Sequence, residues 1–252
     1  MSALPFADWV KSIQHQVEAD LAAFLPLDTT IPERLHQAMR YATLGGGKRV
    51  RPLLVYAAGN LFAASPEVLA RAACAVEMIH AYSLVHDDMP CMDDDALRRG
   101  KPTVHVQFDD AIALLVGDAL QAQAFTVLAE SSAPAATSVA LLQLLAQAAG
   151  SAGMCGGQAI DLASVGLKLS LAQLEQMHQL KTGALLRASV LLGAIAGGAL
   201  NAVQTEALSS YAKAIGLAFQ VVDDILDVTA DSATLGKTAG KDADHDKPTY
   251  VS

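Results

Sequence analysis

His80-Ala-Tyr-Ser-Leu-Val-His86-Asp87-Asp88-Met-Pro-Cys-Met-Asp93-Asp94-Asp95-Ala-Leu-Arg98-Arg99-Gly-Lys101-Pro-Thr103 is the stretch on which the reading of this chain turns. Five carboxylates fall between positions 87 and 95, and Arg98, Arg99 and Lys101 follow them. The text before them is apolar: Ala75, Val76, Met78, Ile79, Ala81, Leu84 and Val85. A helix that leaves a core and ends in clustered carboxylates is poorly built for stability alone. Two like charges near 4 Å repel by roughly 4 kcal/mol at a surface-like dielectric, against a net stability of only ~5–15 kcal/mol. The cluster therefore either splays into water or is neutralised by a cation. A random acidic run most often does the former. The apolar run on one side and the Arg-Arg-Gly-Lys on the other favour the latter. Aspartate oxygens suit a hard ion such as Mg2+, commonly shared with substrate phosphates. Guanidinium groups match the geometry of the same phosphates.

The rest of the composition agrees with a helical protein. At 252 residues the chain can bury a sizeable core. It is 52% hydrophobic and only 5% aromatic, so its apolar mass is chiefly Ala, Leu and Val. No proline occurs between Pro134 and Pro248, which favours long helices over a loop-rich β fold. A formal charge of -9 argues against nucleic acid as a partner. Such a protein must concentrate its cations wherever it binds phosphate. Cys74, Cys91 and Cys155 are odd in number and widely spaced, showing neither a disulfide framework nor a zinc pattern. The N-terminal residues lack the basic-then-apolar layout of a signal peptide, so the cytoplasm is the expected location. The most apolar window, Ala188 to Leu200, is short and glycine-interrupted, so it is expected to be a buried helix and no membrane span.

Helical spacing is expected over 6–25, from Pro32 to Leu44, up to Phe62, over 67–88, over 105–130 and 135–149, from 171, and from 204. A glycine-rich break is expected from Gly150 to Gly157. The segment Gly45-Gly46-Gly47-Lys48-Arg49-Val50-Arg51-Pro52 reads either as a flexible basic turn or as an anion site, its glycines letting amides close on a phosphate. It lacks the spacing of a Walker loop. His80 and Asp87 lie seven apart, nearly on one helix face, with Glu77 a turn earlier. A lone histidine there is usually a satisfied core residue, but sharing a face with Asp87 favours a ligand contact. Pro90 ends the helix, and that break would let Asp87 and Asp93 reach one ion. His178, Lys181 and Thr182 are expected to form one small polar patch. Gln220, Asp223 and Asp227 make a polar stripe flanked by Phe219, Val221, Val222, Ile225 and Leu226, which reads as a buried cavity wall. Two acidic clusters and several cationic segments, with no nucleophile pattern, suggest metal-assisted departure of a phosphate or diphosphate.

From about Ala38 to Tyr250 the chain resembles the all-trans polyprenyl diphosphate synthases, bacterial farnesyl diphosphate synthases in particular. The likeness rests on GGGKRVRP, HDDMPCMDDDALRRGKPT, GMCGGQAIDL, HQLKTGALLRAS, GLAFQVVDDILDV and TLGKTAGKDADHDKPTY, in that order. The resemblance implies an all-α, single-domain bundle of long helices around a deep central cavity, the isoprenoid synthase fold, assembled as a homodimer. It implies condensation of isopentenyl diphosphate with an allylic diphosphate. Asp87, Asp93 and Asp223 would hold Mg2+, three ions with substrate bound, with Mn2+ as the other metal in view. Arg98, Lys181, Lys237 and Lys247 would grip the allylic diphosphate. Thr182 and Gln220 would turn oxygens toward the developing cation. Lys48, Arg51, His80 and Arg99 would bind isopentenyl diphosphate. Tyr82 and Ser83 would set product length at fifteen carbons; geranyl and geranylgeranyl diphosphate synthases are the neighbouring alternatives. The family normally continues into further helices past Lys-Pro-Thr-Tyr, so the sequence, ending at Ser252, is expected to lack them. A terpene cyclase would not need the Lys48, Arg51 and His80 set, and a non-catalytic subunit would have eroded aspartates.

Overall fold

A computed structural model describes residues 5–229. These residues are helical almost throughout, and the sheet among them is a two-stranded hairpin. The all-α expectation holds. The chain gathers into two compact units: residues to Ala96 with Pro102–Leu142 and Ser189–Leu200, and Leu97–Lys101 with Gln143–Ala188 and the residues from Asn201 onward.

The first unit is built on α1 (Phe6–Phe24), α2 (Glu33–Thr43), α3 (Val50–Leu61), α4 (Pro66–Asp87), the single turn α5 (Val104–Gln107) and α6 (Asp110–Ala129). Pro66 opens α4, where its missing N–H is no loss. Every residue from Ala72 to Ile79 is buried, so α4 is the unit's central rod. It packs most extensively on α6. The facing row of α6, Ala113, Val116, Gly117, Leu120, Ala124 and Val127, recurs at helical spacing and is buried. Small residues on both helices let the backbones approach closely. Gly117 is the extreme case: a Cβ there would lie 1.8 Å from His86 Nε2. The His86 ring instead lies against α6, 3.1 Å from the Leu114 carbonyl oxygen.

The single helix expected over 105–130 is two. Asp109 separates α5 from α6 because its Oδ1 accepts the Ile112 amide at 2.8 Å while its Oδ2 accepts Arg34 at 2.7 Å. A capping carboxylate held from outside competes successfully with one more helical turn. The short strands Leu97–Arg98 and Lys101–Pro102 were not expected either: this hairpin turns on Arg99 and Gly100, with φ of 53° and 74°. Two successive positive φ values suit a two-residue hairpin turn.

The second unit contains the end of α7 (Ala135–Ala149), α8 (Met154–Ala163), α9 (Leu171–His178), a π turn (Gln179–Gly183), the start of α10 (Ala184–Ala196) and α11 (Ala202–Thr229). Ser170 and Gln173 form a capping box at the start of α9. The glycine-rich break is shorter than expected. It ends at Gly153, and Gly156 and Gly157 lie inside α8.

Apolarity alone does not exclude a membrane. By length and composition α4, α6 and the stretch Ala135–Ala163 would each be apolar enough to cross one. Ala188 to Leu200 is not among these stretches. Burial accounts for α4, 72% of whose apolar window is inside the protein; for α6 and Ala135–Ala163 the shares are 39% and 33%.

The later half of α10 returns to the first unit, where a Cβ on Gly193 would lie 2.0 Å from the Val55 carbonyl oxygen and 2.9 Å from the Gly59 amide nitrogen. Both are backbone atoms of α3 that no rotamer change relieves. Gly193→Ala is expected to destabilise the protein by about 1–3 kcal/mol or more through overpacking, read as a lower midpoint in urea unfolding.

Candidate active site

At the C-terminus of α4 the backbone turns back on itself. The Met89 amide donates to the His86 carbonyl at 3.1 Å, and Pro90 stops the helix. The loop then returns. The Asp93 amide donates to the Asp87 carbonyl at 2.9 Å, and the Asp95 amide to the Asp88 carbonyl at 3.1 Å. Residues six and seven apart in sequence thus become backbone neighbours past the break at Pro90. The five carboxylates do not share one environment. Asp88 and Asp95 are buried, at 3% and 6% exposure, whereas Asp87 and Asp93 are half-buried and Asp94 is exposed. Thr103 secures the far end by donating to the Asp95 carbonyl at 2.7 Å.

One turn before Asp87 lie the two residues expected to limit product length. Tyr82 is buried, its ring edge-to-face with His86 at 5.9 Å. Ser83 is half-buried and donates to the His80 carbonyl at 2.9 Å. His80 itself is half-buried.

The Gly45-Gly46-Gly47-Lys48-Arg49-Val50-Arg51 segment is not a flexible basic turn. Gly45, Gly46, Gly47 and Arg49 all have positive φ, and neighbouring helices hold the loop. Gln14 donates to the Lys48 carbonyl at 3.0 Å, and the Gly45 amide donates to Glu18 at 2.5 Å. Arg49 is buried and donates to Glu77 at 2.7 Å, Glu18 at 2.6 Å and the Thr43 carbonyl at 2.8 Å. Burial opposes charge on Arg49, but the Glu77 and Glu18 carboxylates outweigh it and hold the guanidinium above its ordinary pKa. Arg51 is half-buried; burial lowers it to about 10 against the pull of Glu77, which leaves it charged at neutral pH. Lys48 is exposed. Sequence reasoning placed Glu77 on the right face but gave neither it nor Glu18 a role, since a carboxylate on an apolar helix shows its partner only in the fold.

In the second unit the π turn carries the chemistry. Lys181 and Thr182, expected to share one small polar patch with His178, take different partners. His178 is buried. Lys181 Nζ donates to Asp161 on α8 at 2.5 Å. Thr182 donates to Gln220 on α11 at 3.2 Å. Asp161 was missed, although its motif was noted. Gly157 is what allows the approach: a Cβ there would sit 2.1 Å from the Lys181 amide nitrogen. Asp223 is exposed. Phe219, Val222 and Ile225, expected to line a buried wall, are 36%, 54% and 44% exposed. That expectation fails because nothing among the described residues covers this face of α11. Arg98 is half-buried and Arg99 exposed on the hairpin. Lys237 and Lys247 lie outside the described residues.

A polyprenyl synthetase family model matches residues 32–252. The chain is 50% identical to the farnesyl diphosphate synthase of Haemophilus influenzae over 97% of its own length and 84% of that protein. It is 52% identical to a chloroplastic geranylgeranyl pyrophosphate synthase of Catharanthus roseus over 87% of its own length and 62% of that protein. Among solved structures, the geranyltransferase of Helicobacter pylori, complexed with magnesium and isoprenyl diphosphate, superposes with a TM-score of 0.88 at 32% identity, covering 100% of this chain and 84% of the other.

Glu18 carries a pH signature that tests the geometry of the loop. Burial alone would raise its carboxyl, but the Gly45 amide and Arg49 outweigh this and hold it below 4.5. A depressed native pKa gives stability that is present above the unfolded value and lost as pH falls through the native one. The Tm of the protein is therefore expected to fall more steeply below about pH 4.5 than that of Glu18→Gln, as followed by circular dichroism across an acid series.

Proposed function

The chain belongs to the polyprenyl synthetase family, and on that premise we propose that it is a prenyltransferase making farnesyl diphosphate. Its substrates on this reading are isopentenyl diphosphate and dimethylallyl or geranyl diphosphate. The observation that carries the reading is the return of the loop after α4, with the Asp93 amide bonded to the Asp87 carbonyl. It makes two half-buried aspartates of one motif backbone neighbours at the end of an apolar helix.

The residues fit the divalent ion that this chemistry needs. Among the described residues no three His, Cys, Asp or Glu side chains form a ready-made metal cluster. Mg2+ does not require one, since it is usually held by one or two carboxylates, waters and substrate phosphates. Asp87, Asp93 and Asp223 would hold the ions, three with substrate bound, and Mn2+ is the alternative metal. When bound, Mg2+ would neutralise the charge that builds on the departing diphosphate. Arg98, Lys181, Lys237 and Lys247 would add fixed positive charge to the same leaving group, which lowers the barrier without reorganisation. Thr182 and Gln220, bonded to each other, would present oxygen dipoles to the allylic cation. Lys48, Arg51, His80 and Arg99 would hold isopentenyl diphosphate so that its double bond attacks that cation. The proton lost afterwards has no obvious side-chain acceptor here, and the released diphosphate is the natural base.

Identity does not choose the product, because farnesyl and geranylgeranyl relatives are matched at 50% and 52%. The bulk of Tyr82, buried a turn before Asp87, favours fifteen carbons. A homodimer is part of this reading, supported by exposed Val106 on α5 and Leu114 and Leu115 on α6, at 53%, 50% and 48%. So is a cytoplasmic location without a membrane-spanning segment, with which the free thiols of Cys74, Cys91 and Cys155 agree.

Incubation with Mg2+, labelled isopentenyl diphosphate and geranyl diphosphate, followed by sizing of the product, tests the proposal. A fifteen-carbon diphosphate is expected, and no elongation at all refutes it. Asp87→Ala and Asp223→Ala are each expected to lower kcat by at least about 10²-fold, in the range of losing a transition-state charge stabiliser, while the helical circular dichroism is kept. Replacing Tyr82 by Ala together with Ser83 by Gly is expected to lengthen the product, read by chromatography of the hydrolysed prenols.

A further inference from the structure

The Gly45–Arg51 loop carries three cations, yet the fold uses them differently. The Arg49 side chain is 2% exposed and its charge is consumed by two carboxylates, Glu77 at 2.7 Å and Glu18 at 2.6 Å. A guanidinium this buried, with its charge met by two carboxylates, is withdrawn from direct contact with a substrate phosphate. Lys48 and Arg51, on either side of it, form no salt bridge among the described residues, and Lys48 is exposed. The loop also stores backbone strain. Arg49 is a non-glycine residue at φ 51°, next to glycines at 85°, 114° and 129°. Such a conformation persists only where the surroundings over-determine it. Here they do so at three points: Glu18 on the Gly45 amide, Gln14 on the Lys48 carbonyl, and the Arg49 side chain between α1 and α4.

Glu77 is the hub of this arrangement. Its side chain is 4% exposed, in the middle of the most buried stretch of α4. It binds Arg49 directly and attracts Arg51, which starts the next helix. It also stands one helical turn before His80. One carboxylate therefore ties the α2–α3 loop to the helix that carries His80. A buried ion pair is weak support for stability compared with apolar packing, so its presence here calls for another role.

We infer that Glu77, Arg49 and Glu18 are positioning residues for the isopentenyl diphosphate site, holding Lys48 and Arg51 in register with His80 without touching the substrate. This deepens the functional reading and rests on it. The consequence is a split between the two substrates. The allylic diphosphate is held by other residues, on other elements, and should not feel the loss of this clamp.

The test is steady-state kinetics of Glu77→Gln and Glu18→Gln with both substrates varied, alongside calorimetric titration of isopentenyl and geranyl diphosphate. The expected result is a rise of about tenfold or more in KM and Kd for isopentenyl diphosphate, the scale of losing a hydrogen bond to a charged group. KM and Kd for geranyl diphosphate should stay within about twofold by the same reasoning. If Glu77→Gln does not fold, the double replacement of Arg49 and Glu77 by Gln removes both charges together. It is expected to fold and to keep the selective loss, and Glu18→Gln reads the partly exposed arm of the same clamp. Folded variants with unchanged affinity for isopentenyl diphosphate, or with both substrates weakened in parallel, overturn the positioning role. A wild-type protein that binds neither diphosphate overturns the functional reading itself, and the inference with it.

Discussion

A helix buried along its length leaves few places where charge can appear, and α4 is such a helix. Eight consecutive residues from Ala72 to Ile79 are inaccessible to water. A polar group inside that stretch must be satisfied by a partner brought from elsewhere. Glu77 is that group, and Arg49 is the partner. Other charge on α4 lies toward its two ends, Glu67 and Arg71 at the start and the carboxylates where the chain leaves the core. The dense packing of α4 against α6, made possible by small residues such as Gly117, thus decides where the carboxylates Asp87 and Asp93 emerge. Packing and chemistry share one constraint.

The same economy of position operates in the second unit through a different device. There a π turn interrupts the run from α9 into α10. Lys181 and Thr182, adjacent on that turn, take different partners, the first Asp161 and the second Gln220. Gly157 completes the device by letting α8 come within contact of the turn's backbone. A cationic group and a hydroxyl group that are adjacent in sequence thereby acquire separate partners and can serve separate roles.

Carboxylates in this protein are not interchangeable. Asp88 and Asp95 are buried within the loop after α4, while Asp87 and Asp93 stand at its half-exposed edge. Glu18 and Glu77 are spent on Arg49, and Asp161 on Lys181. An acid paired with an internal cation is withdrawn from ligand chemistry. The proposed metal carboxylates differ from Asp88 and Asp95 in burial: Asp87 and Asp93 are half-buried and Asp223 is exposed.

Read alone, the amino-acid order determined the helical class, the main helices and the motif residues, because those depend on periodicity, proline placement and local spacing. Pro90 foretold the turn that joins Asp87 to Asp93. The order did not reveal the cap at Asp109, the hairpin at Arg99 and Gly100, the π turn, or the roles of Glu77, Glu18 and Asp161. Each of these depends on a partner distant in the chain or on a difference of a few tenths of a hydrogen bond's geometry between competing turns. Tertiary structure alone decided which of the three cations in the Lys48–Arg51 run is buried, since only the close approach of α1 and α4 puts two carboxylates around Arg49 and leaves Lys48 facing outward.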